Sequence, residues 1–295
     1  MEDSKQVIVD SAKQYATYLI KNISQTDENG NVMYYFSGSL AMLLLSSAQS
    51  IKICLLDNGG KTVKEKPAAE FSQKAKESLS KGVRSVGADI DIVTINEDAF
   101  NGKGGVYNLS AVKNNCDLSL YLCPAWKNIN GTMYFDCLTD EREIVGHSTA
   151  EITFNDGNKV IIADPMSLIM HKFADTLTCY ATIQKFKDNN TSTAERIAKL
   201  VAKYKKDISD FVSMFNGCIS IYSQQKFEKY IEQTLKMCPQ TAFSRILSSS
   251  KLSENIEYFY NDAKEYIEDK NLFESFINAM VNQNEQIVDY CRDCC

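Results

Sequence analysis

At 295 residues, 44% hydrophobic and 24% charged, the chain has the composition of a globular protein large enough to bury a sizeable core, which excludes a disordered or low-complexity polypeptide. Its net charge of -6 argues against a broad nucleic-acid groove, because bulk phosphate binding needs a surplus of Lys and Arg. The ten cysteines are mostly dispersed singly, as reduced and partly buried thiols would be, and no apolar run suits a leader or a membrane span, so a cytoplasmic protein with no membrane partner is expected.

Residues 4 to 22 place Val7, Ile8, Ala12, Tyr15, Ala16, Leu19 and Ile20 on one face and predict an amphipathic helix. Asp27 to Gly30 is a turn, and Asn31 to Phe36 an aromatic-rich run suited to a buried strand. The small-residue turn Ser37-Gly38-Ser39 follows, then a Leu-rich helix from Leu40 to Gln49. Ile51 to Leu56 reads as a strand, Asp57 to Gly60 as a turn, and Ala68 to Lys81 as a polar helix stopped by Gly82.

The octapeptide Ala88 to Ile95 alternates carboxylate and apolar residue, so a strand there sends Asp89 and Asp91 to one face. Further strands are predicted at Leu118 to Cys123, Thr132 to Leu138, Ser148 to Phe154 and Lys159 to Ala163, the last two joined by an Asp-Gly hairpin at Asn155 to Asn158. After Pro165 the spacing turns helical, with breaks near Asn189-Asn190, Asn216-Gly217, Pro239 and Ser248 to Ser250. The expected class is α+β: a mixed-sheet α/β domain over residues 1–164, then a helical domain over 165–295.

Two carboxylates side by side on a strand repel unless a divalent cation bridges them, so Asp89 and Asp91 ask for a metal. Asp136, mid-strand in TMYFDCL, is the candidate third ligand; its plainer reading is a solvated strand position. Gly38 and Ser39 lead into a helix N-terminus, where free N–H groups and the helix dipole favour phosphate. A phosphate cradle with a paired-carboxylate clamp makes the two halves of a phosphoryl- or nucleotidyl-transfer site.

Cys291-Arg-Asp-Cys294-Cys295 resembles half of a zinc site, but no second Cys or His pair stands at ligand spacing. His147 and His171 are the only histidines and build no catalytic triad. Arg196, Lys199 and Lys203 share a helix face, with Lys205 and Lys206 just beyond, and offer either an RNA-phosphate patch or a solvated surface. The aromatics Tyr258, Phe259, Tyr260, Tyr266, Phe273 and Phe276 read as core at helical spacing, or as a partner groove.

FSGSLAM (Phe36 to Met42) followed by GADIDI (Gly87 to Ile92) resembles the nucleotidyltransferase signature of a Gly-Ser turn and an Asp-x-Asp strand. ADPMSLIMHKFADTL (Ala163 to Leu177) and KKDISDF (Lys205 to Phe211) are similar to the later segments of the AbiEii-like and MenT-like toxin nucleotidyltransferases of abortive-infection and toxin–antitoxin systems. The resemblance implies a nucleotidyltransferase-like sheet and a Mg²⁺- or Mn²⁺-dependent transfer of NMP from an NTP to a tRNA 3′ end or a protein hydroxyl. It assigns Ser39 to the nucleotide turn, Asp89 and Asp91 to metal, Lys172 to the triphosphate, and Asp207 or Asp210 to support of the site, and it suggests a cognate antitoxin as partner. In one respect the chain departs from the family: between Ser39 and Asp89 it inserts an apparent extra strand and a polar helix. The alternative is an inactive nucleotidyltransferase fold that binds a nucleotide or a protein without turnover.

Overall fold

A computed structural model describes residues 2–22, 24–57, 59–82, 90–95, 106–107, 133–139, 147–189, 192–221 and 252–293. The protein is α+β, with a mixed sheet and several helices, and the chain divides into two compact units, Met1–Leu168 and Ile169–Cys295. No helix among the described residues is long and apolar enough to cross a membrane.

In the first unit, helix α1 (Glu2–Asn22) buries Val9, Ala12, Ala16 and Leu19, whose three- and four-residue steps keep them on one stripe. Strand β1 (Tyr34–Phe36) is fully buried, and helix α2 (Gly38–Ser46) follows after Ser37 alone. Next come β2 (Ser50–Leu56), β3 (Thr62–Glu65), β4 (Ala69–Glu70) and α3 (Gln73–Lys81). The remaining strands are β5 (Ile90–Thr94), β6 (Val106–Tyr107), β7 (Met133–Thr139), β8 (His147–Thr153) and β9 (Lys159–Ala163).

These make a nine-stranded sheet in the order β3-β2-β8-β9-β1-β5-β7-β6, with β4 also pairing β2. Strand β1 runs parallel to β9 and antiparallel to β5, and β5 runs parallel to β7. The segment between α2 and β5 does not wedge between their strands. Its first strand crosses to β8 and forms seven pairs with it, from Ser50↔Thr153 to Leu56↔His147. The insertion therefore extends the sheet at the edge away from β5, and β1 and β5 stay direct neighbours.

Several sequence expectations shift. Residues 31–33 precede the strand: Val32 forms the isolated bridge Thr26↔Val32, and the Met33 carbonyl accepts from the Ile95 N–H at 2.8 Å. Gly38 and Ser39 are not a free turn but the first residues of α2, with Ser37 as N-cap. The polar helix begins at Gln73 and not near Ala68, because Ala69–Glu70 pair with β2 and the Ser72 hydroxyl caps the helix by accepting from the Ala75 N–H at 3.1 Å. The strand expected at Leu118 to Cys123 and the residues from 222 to 251 lie outside the described residues.

The β8–β9 hairpin closes at Asn155 to Asn158, where Gly157 takes φ +79 and the Phe154 N–H donates to the Asn158 carbonyl at 2.9 Å. Lys13 of α1 is tied to this turn by an ion pair to Asp156 at 2.7 Å and lies 4.8 Å over the Phe154 ring. Buried Gln25 acts as a surrogate strand residue: its amide donates to the Ile161 carbonyl at 2.7 Å and accepts from the Ile161 N–H at 2.8 Å.

The second unit is built, in its described residues, from helix α4 (Pro165–Asn189, which starts in the first unit), α5 (Ala194–Cys218), a short 3₁₀ turn (Ile219–Ile221), α6 (Leu252–Ala263) and α7 (Lys270–Asp293). Helix α5 runs through Asn216 and Gly217, where a break was expected, and the Asn216 side chain accepts from the Glu268 N–H at 3.0 Å. Phe173, Phe211, Phe215, Phe259, Phe273 and Phe276 form the core, with Phe173 and Phe211 each meeting Phe259 edge-on at 4.9 Å. Such pairs add about 0.5–1.5 kcal/mol each beyond the area they bury. Phe259, Phe273 and Phe276 are thus core, whereas Tyr258 and Tyr266 stand exposed.

Candidate functional site

The first cluster of sequence-predicted residues is assembled by strand register. Phe36 of β1 pairs with Ile92 of β5, so the next position outward on the antiparallel pair sets Ser37 beside Asp91. Asp91 in turn pairs with Asp136 of β7 in the parallel register Asp91↔Asp136. The start of α2, Asp91 and Asp136 therefore occupy consecutive places across three adjacent segments, although they are far apart in sequence. Helix α2 packs on β5 as well as on α1 and α3, which fixes its N-terminus at this row.

The local chemistry of α2 follows from its sequence. Leu40, Ala41, Leu43, Leu44 and Leu45 are buried, so the helix is anchored by its body and its first turn is left to polar work. Gly38 takes φ +54, a backbone conformation that L side chains adopt at a penalty, and this lets the chain leave β1 and enter the helix within two residues. The N–H groups of the first turn have no carbonyl one turn back and are available to an anion.

Asp89 lies outside the described residues, as do the side chains of Asp91 and Asp136. Among the described residues, no group of three or more His, Cys, Asp or Glu is placed to hold a metal ion. The donor set that the register assembles from Asp91 and Asp136 is carboxylate oxygen, the hard ligand that Mg²⁺ and Mn²⁺ prefer, so the chemistry of these residues fits such an ion.

The second cluster lies in the second unit and is built by two antiparallel helices. The Lys172 ammonium on α4 stands 3.4 Å from Asp207 and 3.7 Å from Asp210 on α5. Both aspartates are buried, at 2% and 3% exposure, so this part of the helix is not a solvated face. Lys203, one turn before Asp207, donates to its other carboxylate oxygen. Burial works against the Lys203 ammonium, but the hydrogen bond and attraction of Asp207 outweigh it and hold its pKa above the usual lysine range. Two lysines thus meet two buried carboxylates, and the local charge can balance.

The proposed basic patch is largely engaged within the fold. Lys203 is held by Asp207, Lys199 pairs with Glu195 at 2.7 Å, and Arg196 lies 4.9 Å over the Phe186 ring. The side chains of His147 and His171 are outside the described ones.

Asp164 is a residue that the sequence reading missed. It is fully buried at the end of β9, accepts from the Ser148 hydroxyl at 2.6 Å, and caps α4 by accepting from the Met166 N–H at 2.9 Å. The signal was present as Asp164-Pro165, a capping residue before a proline at the first helical position. Lys203 was likewise read only as an RNA-phosphate contact or a solvated lysine, although its four-residue step to Asp207 is the spacing of a helical ion pair. Comparison of the chain with protein-family models, with curated proteins and with solved structures finds no match.

Proposed function

We propose that this chain is a nucleotidyltransferase that moves NMP from an NTP to an acceptor hydroxyl. The observation that carries the reading is the β1–β5–β7 register, which supports a phosphate-binding helix start beside paired carboxylates: Phe36↔Ile92, then Asp91↔Asp136. The arrangement fits the order of motifs in the nucleotidyltransferase resemblance, and the insertion after α2 is compatible with it because β2 pairs with β8.

In this reading the first-turn N–H groups around Gly38 and Ser39 receive the NTP phosphates, where the helix dipole favours negative charge. Asp89, Asp91 and Asp136 are the residues that would hold Mg²⁺ or Mn²⁺, and the bound ion would neutralise charge on the phosphate undergoing transfer. Lys172, to which the resemblance gives the triphosphate, is held by Asp207 and Asp210 within the second unit. An acceptor hydroxyl attacks the α-phosphorus, the bond to the pyrophosphate oxygen breaks, and the hydroxyl proton passes to solvent. The acceptor is a tRNA 3′ end or a protein hydroxyl, and a cognate antitoxin is the partner that a toxin role would bring.

The test is incubation with each α-labelled NTP, Mg²⁺ or Mn²⁺, and a pool of total tRNA and protein, comparing wild type with an Asp89→Ala/Asp91→Ala variant. Wild type is expected to transfer label and thereby to identify donor and acceptor. The variant should lose at least about 100-fold, the upper loss seen when only outer-shell partners of a metal are removed. Nucleotide binding without transfer in either protein would replace the enzyme with the binding module.

A further inference from the structure

Strand β3 (Thr62–Glu65) stands at the end of the sheet order, and among the described residues it pairs only with β2. All four of its residues are exposed, Val63 at 56%. Leu55 pairs with Lys64 and Leu56 with Thr62, so Val63 sits in a bulge and has no partner on β2. An open strand edge is a template for another strand, and proteins commonly blunt it with lysine or proline. Lys61, Lys64, Lys66 and Pro67 do so here, but their order leaves one way of pairing favourable.

A ladder of charge leads up to this edge. Lys159 on β9 pairs with Glu151 on β8 at 2.9 Å, Glu151 with Lys52 on β2 at 3.7 Å, and Lys52 with Glu65 on β3 at 3.3 Å. The sign alternates strand by strand and ends on a carboxylate whose side chain is still 59% exposed. The next strand outward would complete the series with a cation facing Glu65.

A second copy of β3 supplies that cation. Facing residues of an antiparallel pair point to the same side of the sheet, so a two-fold axis passes through a residue and not between two. An axis at Lys64 or at Glu65 sets a charge against itself, and one at Thr62 opposes no charges at all. An axis at Val63 sets Val63 against Val63, Thr62 against Lys64, and Lys61 against Glu65 on both sides. Pro67, which lacks an N–H, then falls beyond the paired stretch.

We propose that two copies of this chain pair antiparallel along β3 about a two-fold axis at Val63, with Lys61 of each protomer facing Glu65 of the other. The pairing carries the alternating ladder across the axis and covers Val63. It is isologous and closes at two copies. The strands are short, so the contact is smaller than the roughly 1,000 Å² of a stable interface and the dimer is reversible. None of this depends on the nucleotidyltransferase reading.

The experiment is sedimentation velocity of the full chain at rising concentration, up to about 0.5 mM, for wild type, Lys61→Glu, Glu65→Lys and an equimolar mixture of the two variants. Wild type is expected to pass from monomer to dimer, and added salt should weaken the dimer because its charge pairs are exposed. Each variant alone opposes like charges at two places and should weaken the dimer by about tenfold or more. In the mixture every facing pair is again of opposite sign, so dimer should return to within about threefold of wild type. Both positions are exposed, and melts of the variants should stay within about 2 °C of wild type, which shows that they fold. Wild type that stays monomeric throughout overturns the proposal. A dimer equally tight in both variants lies on another surface and overturns it too, as does a mixture that remains monomeric.

Discussion

The two clusters of candidate residues are made in opposite ways. In the first unit, Ser37, Asp91 and Asp136 come together through strand register, and the pairing Asp91↔Asp136 brings two like charges to facing positions on neighbouring strands. In the second unit, Lys172, Lys203, Asp207 and Asp210 come together through helical periodicity and balance one another in a buried setting. In the proposed reading the first arrangement awaits a cation, whereas the ion pairs of the second offset one another as they stand. The difference teaches where stability and function separate: a residue that works on an absent ligand is a liability to the empty fold, and one that works on a neighbour supports it.

Substitution at each cluster exposes that contrast most strongly. Lys172→Met removes a cation from two buried carboxylates and is expected to destabilise by about 3 kcal/mol, the low end for a broken buried pair because the ammonium retains some exposure. Asp91→Asn is expected to be neutral or to stabilise by up to about 1 kcal/mol without metal, since it relieves like charges across a strand pair. Added Mn²⁺ should raise the Tm of wild type and not of Asp91→Asn, because a ligand stabilises only the state that binds it. Denaturant melts of both variants decide the matter, and a Tm loss in metal-free Asp91→Asn as large as in Lys172→Met erases the distinction.

The contrast also fixes how much of the molecule was legible beforehand. Local periodicity showed α1 through Ala12, Ala16 and Leu19, and the Asp-Gly turn showed the β8–β9 hairpin. Thr62–Glu65 was illegible as a strand because all four residues are exposed and only their pairing with β2 defines them. The sheet order was hidden for the same reason, since nothing in residues 50–56 says that their partner is β8 and not β1. At the site, the residue types at Asp91 and Asp136 were readable and their pairing was not. The burial of Asp207 and Asp210 was not readable beside the charged Lys205 and Lys206. Yet Tyr204, Ile208, Phe211 and Phe215 form a buried stripe, and Asp207 sits on it, four residues before Phe211.

A gentler perturbation of the second unit is alkaline pH. The Lys203 pKa is raised through Asp207, against its burial. Burial and a hydrogen bond with Tyr258 push Tyr180 up to about 12. Burial and the bond that Tyr204 donates to Asp262 at 2.9 Å raise Tyr204 as well. A group whose folded pKa lies above its unfolded value stabilises fully below the unfolded value and loses that stabilisation as pH rises through the folded one. With unfolded values of about 10 for Tyr and 10.4 for Lys, stability from these groups should hold through about pH 9 and decline from about pH 10 upward. Melts of wild type and Lys203→Met between pH 7 and 12 should differ by under about 1 kcal/mol at neutral pH, given the exposure of Lys203, and converge as the pH climbs. A wild-type decline that begins near pH 8 points to groups other than these.

The smallest stability effect is expected at the surface of α5, and its value lies in what it says about the acceptor. Lys199 and Glu195 are both 77% exposed, so their ion pair at 2.7 Å is worth little in water. Lys199→Glu replaces that pair by a like-charge step of one helical turn, worth a few tenths of a kcal/mol, and the Tm should stay within about 1 °C. Lys203 and Arg196 are poorer probes of an RNA patch, since one is bound to Asp207 and the other stacks on Phe186, and changing either disturbs the fold. If RNA phosphates cross this face, Lys199→Glu weakens transfer to RNA a fewfold and lowers the salt slope by about one, with NTP binding unaltered. Unchanged transfer to RNA across a salt titration leaves the lysine as a solvating residue, and the acceptor must then be sought on another surface or in another class of molecule.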